Sequence, residues 1–176
     1  MILPPGPRKL ALTLHVTSSV GWLGAVLAFL ALAVAALTSR DADVARAGGI
    51  AMNLTTRFVI VPLAFASLLT GLLSSLGTHW GLVRHYWVLV KFLLIVVATA
   101  VLLLQVGPIG ALADAATGTG PADVGLREAR ASAVVHAAGG LLVLLGATVL
   151  AIYKPRGMTR HGWRHQPDRP RPTSPR

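Results

Sequence analysis

Four long stretches lack any Asp, Glu, Lys or Arg, and they constrain this chain more than any other feature: residues 10–39, 58–83, 92–113 and 131–153. A helix of roughly 20 mainly apolar residues crosses about 30 Å of hydrocarbon. Each stretch is long enough. The alternation of a membrane barrel, repeated over segments of about 10 residues, does not occur. An unpaired backbone group in lipid costs several kcal/mol, so helices are the viable spanning form. The pattern predicts an all-α fold, a four-transmembrane-helix antiparallel bundle, with spans at about 10–38, 50–76, 86–106 and 131–153.

Composition agrees. Charged residues are 12%, hydrophobic residues 54% and mean hydropathy +0.68, whereas a soluble domain carries roughly 25% charged residues. This excludes a water-soluble enzyme and a disordered chain. Cysteine is absent, which excludes disulfides, thiolate metal sites and a Cys nucleophile.

The connections are polar and turn-rich. Arg40, Asp41 and Asp43 follow the first span, and Asp41 is placed to cap the second helix. Residues 107–129 hold Gly107, Pro108, Gly110, Gly118, Gly120 and Pro121, which read as helix breakers and a loop. The chain thus divides into an N-terminus (1–9), a transmembrane domain (10–153) and a Pro- and Arg-rich tail (154–176). The tail reads as disordered. The long apolar stretch of the first span, with His15 and Trp22 in it, reads as a retained helix rather than a signal peptide.

Charge placement sets the expected topology. Arg8 and Lys9 precede the first span, and seven Lys or Arg residues oppose one Asp in the tail. The first connection balances Arg40 and Arg46 against Asp41 and Asp43, and the third sets Asp114, Asp123 and Glu128 against Arg127 and Arg130. The positive-inside bias therefore places both termini in the cytoplasm of a multi-pass cell-membrane protein. Most of the net charge of +10 then lies near anionic lipid, which attracts each Lys or Arg by about 1 kcal/mol. The basic tail reads as a lipid anchor and not as a nucleic-acid-binding segment. Association with another membrane protein or as a homo-oligomer stays open.

Small residues mark close helix contacts in lipid. Gly21 and Ala25, Gly24 and Ala28, the stripe Ser67, Gly71 and Ser75, and Ala133, Ala137, Gly139 and Gly140 fit that role. Pro62 is expected to kink the second span.

Ionisable residues at membrane depth face the bundle interior or water, and here they form two layers. His15 and Lys91 lie in an inner layer, with His79 and His85 near the second connection. Asn53, Arg57, Gln105 and His136 form an outer layer. His15 shares its helix face with Ser18, Ser19 and Trp22, and Trp87 precedes Lys91 by one turn. With spans starting at Leu10 and Tyr86, a rise of 1.5 Å per residue puts both His15 and Lys91 about 7–8 Å inside. Each has two readings. Lys91 is either a functional group or a residue snorkelling to the headgroups, with Trp87 in an interfacial belt. His15 is either a ligand or a packed histidine bonded to a nearby hydroxyl or carbonyl. His136, beside Ser132, reads chiefly as an interhelical hydrogen-bonding residue. Arg57 is expected to snorkel, to pair with Asp114 or Glu128, or to hold a haem propionate in the outer layer.

His15 and His136 sit near opposite surfaces, roughly 15 Å apart along the membrane normal, too far to share one iron. Copper transport finds little chemistry: Met52 and Met158 are isolated and there is no Cys. No zincin, Walker, nucleophile-elbow or dinucleotide motif occurs.

The segment His15-Val-Thr-Ser-Ser-Val-Gly-Trp22-Leu-Gly resembles the first-helix pattern of the CopD and HemJ membrane proteins, and Trp87-Val-Leu-Val-Lys91 resembles a later HemJ helix. The whole chain resembles small actinobacterial integral membrane proteins of unknown function, distantly similar to those families. It differs from HemJ at Ala31, where that family typically carries Arg. The resemblance implies a haem-b-binding helical bundle, with His15 as candidate iron ligand and Lys91 as its functional partner; HemJ proteins oxidise protoporphyrinogen. Trp22 and Trp87 join this inner site, with Arg57 and His136 as a weaker outer one. The alternatives are a non-catalytic membrane scaffold and a copper or small-solute transporter.

Overall fold

The fold is seen in a computed structural model that describes residues 4–76, 86–119 and 125–153. These form α1 (Pro5–Thr38), α2 (Ala42–Thr55), a π-helical turn (Thr56–Ile60), α3 (Val61–Leu76), α4 (Tyr86–Ala116) and α5 (Leu126–Tyr153). The stretch Ala42–Leu76 is one continuous span, so four helices are long and apolar enough to cross a membrane. The chain is an integral, multi-pass membrane protein. His79, His85 and the basic tail lie outside the described residues.

Local chemistry sets the helix ends. Pro5 opens α1, where its missing N–H would have had no partner. The Asp41 carboxylate caps α2, accepting the Asp43 amide at 2.8 Å, as its position in the sequence suggests. All four spans begin before their charge-free runs, α1 already at Pro5. α2 starts at Ala42 rather than near 50, and α5 at Leu126 rather than 131. Their first turns carry Asp43 and Arg46, and Arg127, Glu128 and Arg130. Such turns project beyond the hydrocarbon, where charge is tolerated.

α4 corrects a firmer expectation. It continues through Gly107, Pro108 and Gly110 to Ala116, where the sequence suggested a loop. The proline forfeits one backbone hydrogen bond, but the turns beyond it bury Ile109, Leu112 and Ala113. Pro62 sits at the start of α3, directly after the π-helical turn. There the Val61 amide reaches back to the Thr56 carbonyl, five residues earlier. The wider turn relieves the clash between a proline ring and the carbonyl four residues before it.

The spans form a square. α1 packs on α2, α3 and α5, and α4 on α2, α3 and α5. Each span therefore meets its chain neighbours, and α1 and α4 stand at opposite corners. Two glycines close the end remote from the termini. A Cβ added at Gly48 would lie 2.8 Å from the Ala36 Cβ, and one at Gly49 would lie 3.1 Å from the Leu112 carbonyl oxygen. α2 is thereby seated against both α1 and α4. The core is small and tight, with Ala33, Ala36, Met52 and Ala64 almost fully buried. Large apolar side chains such as Leu12, Leu27, Phe58, Leu104 and Leu142 point outward, as a lipid-facing surface requires.

Candidate functional site

The inner site is built on the α1–α3 contact. The His15 Nδ1 lies 3.1 Å from the Ser67 carbonyl oxygen. A carbonyl only accepts, so Nδ1 carries the proton and Nε2 holds the lone pair. The same N–H is shared with the Thr70 hydroxyl oxygen at 3.3 Å, whose own proton goes to the Ala66 carbonyl. Ser19 and Ser67 join their hydroxyls at 2.8 Å, and Ser18 donates to the His15 carbonyl at 3.1 Å. The polar face read from the sequence therefore does turn toward a neighbouring helix.

Gly71 makes room for the ring. A Cβ there would stand 2.9 Å from the His15 Cε1. The stripe Ser67, Gly71 and Ser75 was legible as a packing surface, but its use as a histidine cradle was not. Thr70, which no spacing in the sequence singles out, completes it. Along the same face of α3, the Ser74 hydroxyl is buried without a hydrogen-bond partner among the described residues.

Lys91 stands on α4, and its side chain is half-buried. Its ammonium makes no hydrogen bond or ion pair among the described residues. Trp87, one turn earlier, is likewise half-buried. His15 and Lys91 are each turned away from full lipid exposure.

Trp22 is placed differently. It is 3% exposed and stands in the wall of a partly open cavity of about 330 Å³. α1, α4, α5 and the π-helical turn enclose this cavity, which also meets Phe29, Gln105 and His136. His15 is not part of its wall. The Trp22 indole N–H is buried and has no acceptor among the described residues.

The outer residues also depart from expectation. Arg57 pairs with neither Asp114 nor Glu128: its Nε donates to the Asn53 Oδ1 at 2.9 Å. Its guanidinium lies against Gly110 of α4. Among the described residues the one ion pair is Arg46–Asp43, at 3.0 Å. His136 bonds within its own helix, Nδ1 donating to the Ser132 carbonyl at 2.8 Å. The ring is exposed, and the carbonyl one turn back is its nearest acceptor, so the interhelical bond does not form.

Chemically, these residues offer an oriented imidazole with a bare Nε2 and an ammonium that is unpaired among the described residues. No group of three or more His, Asp or Glu residues gathers among the described residues, so a metal held there would need ligands of its own, as a macrocycle supplies. No family model matches the chain, and neither a curated protein nor a solved structure shows significant similarity to it.

Proposed function

We propose that this membrane protein binds haem b through His15, in the layer it shares with Lys91. One observation carries the reading. The Nδ1–H bond to the Ser67 carbonyl fixes the tautomer that presents Nε2 as a ligand, the arrangement in which a second-shell acceptor orients a metal-binding histidine. Lys91, which has no hydrogen-bond or ion-pair partner among the described residues, would hold a haem propionate. Bound haem would supply one-electron redox chemistry. The resemblance of the segments around His15 and Lys91 to the CopD and HemJ proteins supports the same reading. Cytoplasmic termini and a tail resting on anionic lipid belong to it through the charge distribution.

The test is haem titration of purified protein. Wild type should take up about one equivalent and develop a Soret band. His15→Ala should not, while retaining its helicity, and His136→Ala should behave as wild type. A second reading draws on the same bonds: Ser67 and Thr70 tie α1 to α3 whether or not a ligand is present. If His15→Ala lowers thermal stability and wild type takes up no haem, the scaffold reading stands and the haem reading falls.

A further inference from the structure

The cavity walled by Trp22 is distinct from the His15 layer. Its volume, about 330 Å³, lies within the range of roughly 300–1,000 Å³ typical of small-molecule sites. The walls are almost wholly apolar. Val97 of α4 and Val135 of α5, which both line the cavity, are 60% and 68% exposed. It therefore opens sideways, toward lipid rather than toward water.

Three polar groups meet this apolar space. The Gln105 side-chain amide makes no hydrogen bond among the described residues. The His136 Nδ1–H is committed to Ser132, so its Nε2 is a bare acceptor. The Trp22 indole N–H, in the wall, has no acceptor. A polar group in an apolar medium without a partner costs roughly 1–3 kcal/mol by protein mutational measures. An acyl chain would fill the volume and satisfy none of the three.

The α5 side of the cavity is flat. Gly139 and Gly140 line it, and a Cβ added at either would meet nothing within 4 Å. No helix packs there, so the two glycines leave a smooth face beside His136. Flat apolar walls, unmatched donors and a lateral mouth describe a site for a planar, lipid-soluble molecule with oxygen acceptors.

We infer that this cavity binds a lipid-soluble ring compound of the quinone class. A ring carbonyl accepts from the Gln105 amide, with the Trp22 indole as the second donor in the wall, and the ring lies along Gly139 and Gly140. The His136 Nε2 accepts from a ring hydroxyl when the compound is in its hydroquinone form. The site is independent of haem at His15.

The experiment uses the full chain in zwitterionic-lipid nanodiscs, titrated with a decyl-substituted benzoquinone and with decylbenzene, which has the same tail and no oxygen. The quinone should bind saturably at one site, at least about tenfold more tightly than decylbenzene. Gln105→Leu should weaken it about tenfold, the loss of about 1.4 kcal/mol, without affecting decylbenzene. Gly140→Leu, which fills the cavity, should abolish binding with helicity unchanged. If that variant fails to fold, Gln105→Leu and the decylbenzene comparison decide. His15→Ala should leave quinone binding intact. Equal affinity for the two probes, or an unchanged affinity in Gln105→Leu, would show a cavity filled by acyl chains and overturn the proposal. So would the absence of saturable binding.

Discussion

The His15 imidazole gives its Nδ1 proton to the Ser67 backbone carbonyl, 3.1 Å away across the α1–α3 contact. The acceptor belongs to the main chain, so changing the Ser67 side chain does not remove it. Ser67→Ala should keep the histidine in place and lose only the hydroxyl bond to Ser19. Interhelical bonds of this kind contribute about 0.6 kcal/mol in membranes. Thermal unfolding in detergent should therefore show a small loss, and haem uptake should be unchanged.

Gly71 is the more sensitive position. An alanine Cβ there would press on the His15 Cε1 at 2.9 Å. Either the ring rotates off the Ser67 carbonyl or the helices separate. Gly71→Val should cost about 1–3 kcal/mol, as overpacking does, and should reduce haem uptake with it. Unfolding and haem titration of the same sample measure both.

Gly48 and Gly139 make a matched pair. The first sits against Ala36, where an added Cβ would be 2.8 Å from its neighbour, and the second faces open space. Gly48→Ala should destabilise the bundle by about 1–3 kcal/mol. Gly139→Ala should be neutral or slightly stabilising, since alanine is the better helix former. A reversed order in a thermal-shift comparison would contradict the packing of α2 on α1.

The Asp41 cap closes the N-terminus of α2. Asp41→Ala should cost about 1 kcal/mol, with Asp41→Asn recovering most of it. The measurement is again the unfolding midpoint.

The absence of cysteine makes topology directly measurable. A single cysteine at Ser39→Cys, between α1 and α2, should react with a membrane-impermeant maleimide on intact cells. One at Ser174→Cys, in the tail, should react only after permeabilisation. The opposite pattern would reverse the orientation inferred from the charges.

Much of the architecture is legible in the sequence because lipid imposes a simple rule: runs without charge must be buried in hydrocarbon. The same rule misjudges helix ends. It measures the apolar slab, whereas α2 and α5 begin ahead of their charge-free runs, with Asp43 and Arg127 already helical. Pro108 misleads for another reason. A proline in the interior of a helix costs about 3 kcal/mol or more, yet burial of Ile109 and Leu112 and the seat of Leu112 on Gly49 hold α4 together beyond it.

At the site, the spacing of His15, Ser18 and Ser19 revealed an inward polar face, because a period of 3.6 residues is visible in one helix. The Ser67 carbonyl was invisible, because every residue has a carbonyl and only packing selects one. The intrahelical bond of His136 and the Asn53 partner of Arg57 were hidden likewise, although both follow four-residue spacings. The placement of Trp22 in a cavity wall depends on how α4 and α5 pack against α1, which no single helix encodes.

The absorption spectrum of the purified protein, supplied with haem and compared with His15→Ala, tests the central claim most directly. A Soret band in wild type that disappears in a still-helical His15→Ala protein is the predicted result. A stable wild-type protein without that band, or a band unaffected by removing the imidazole, would contradict it.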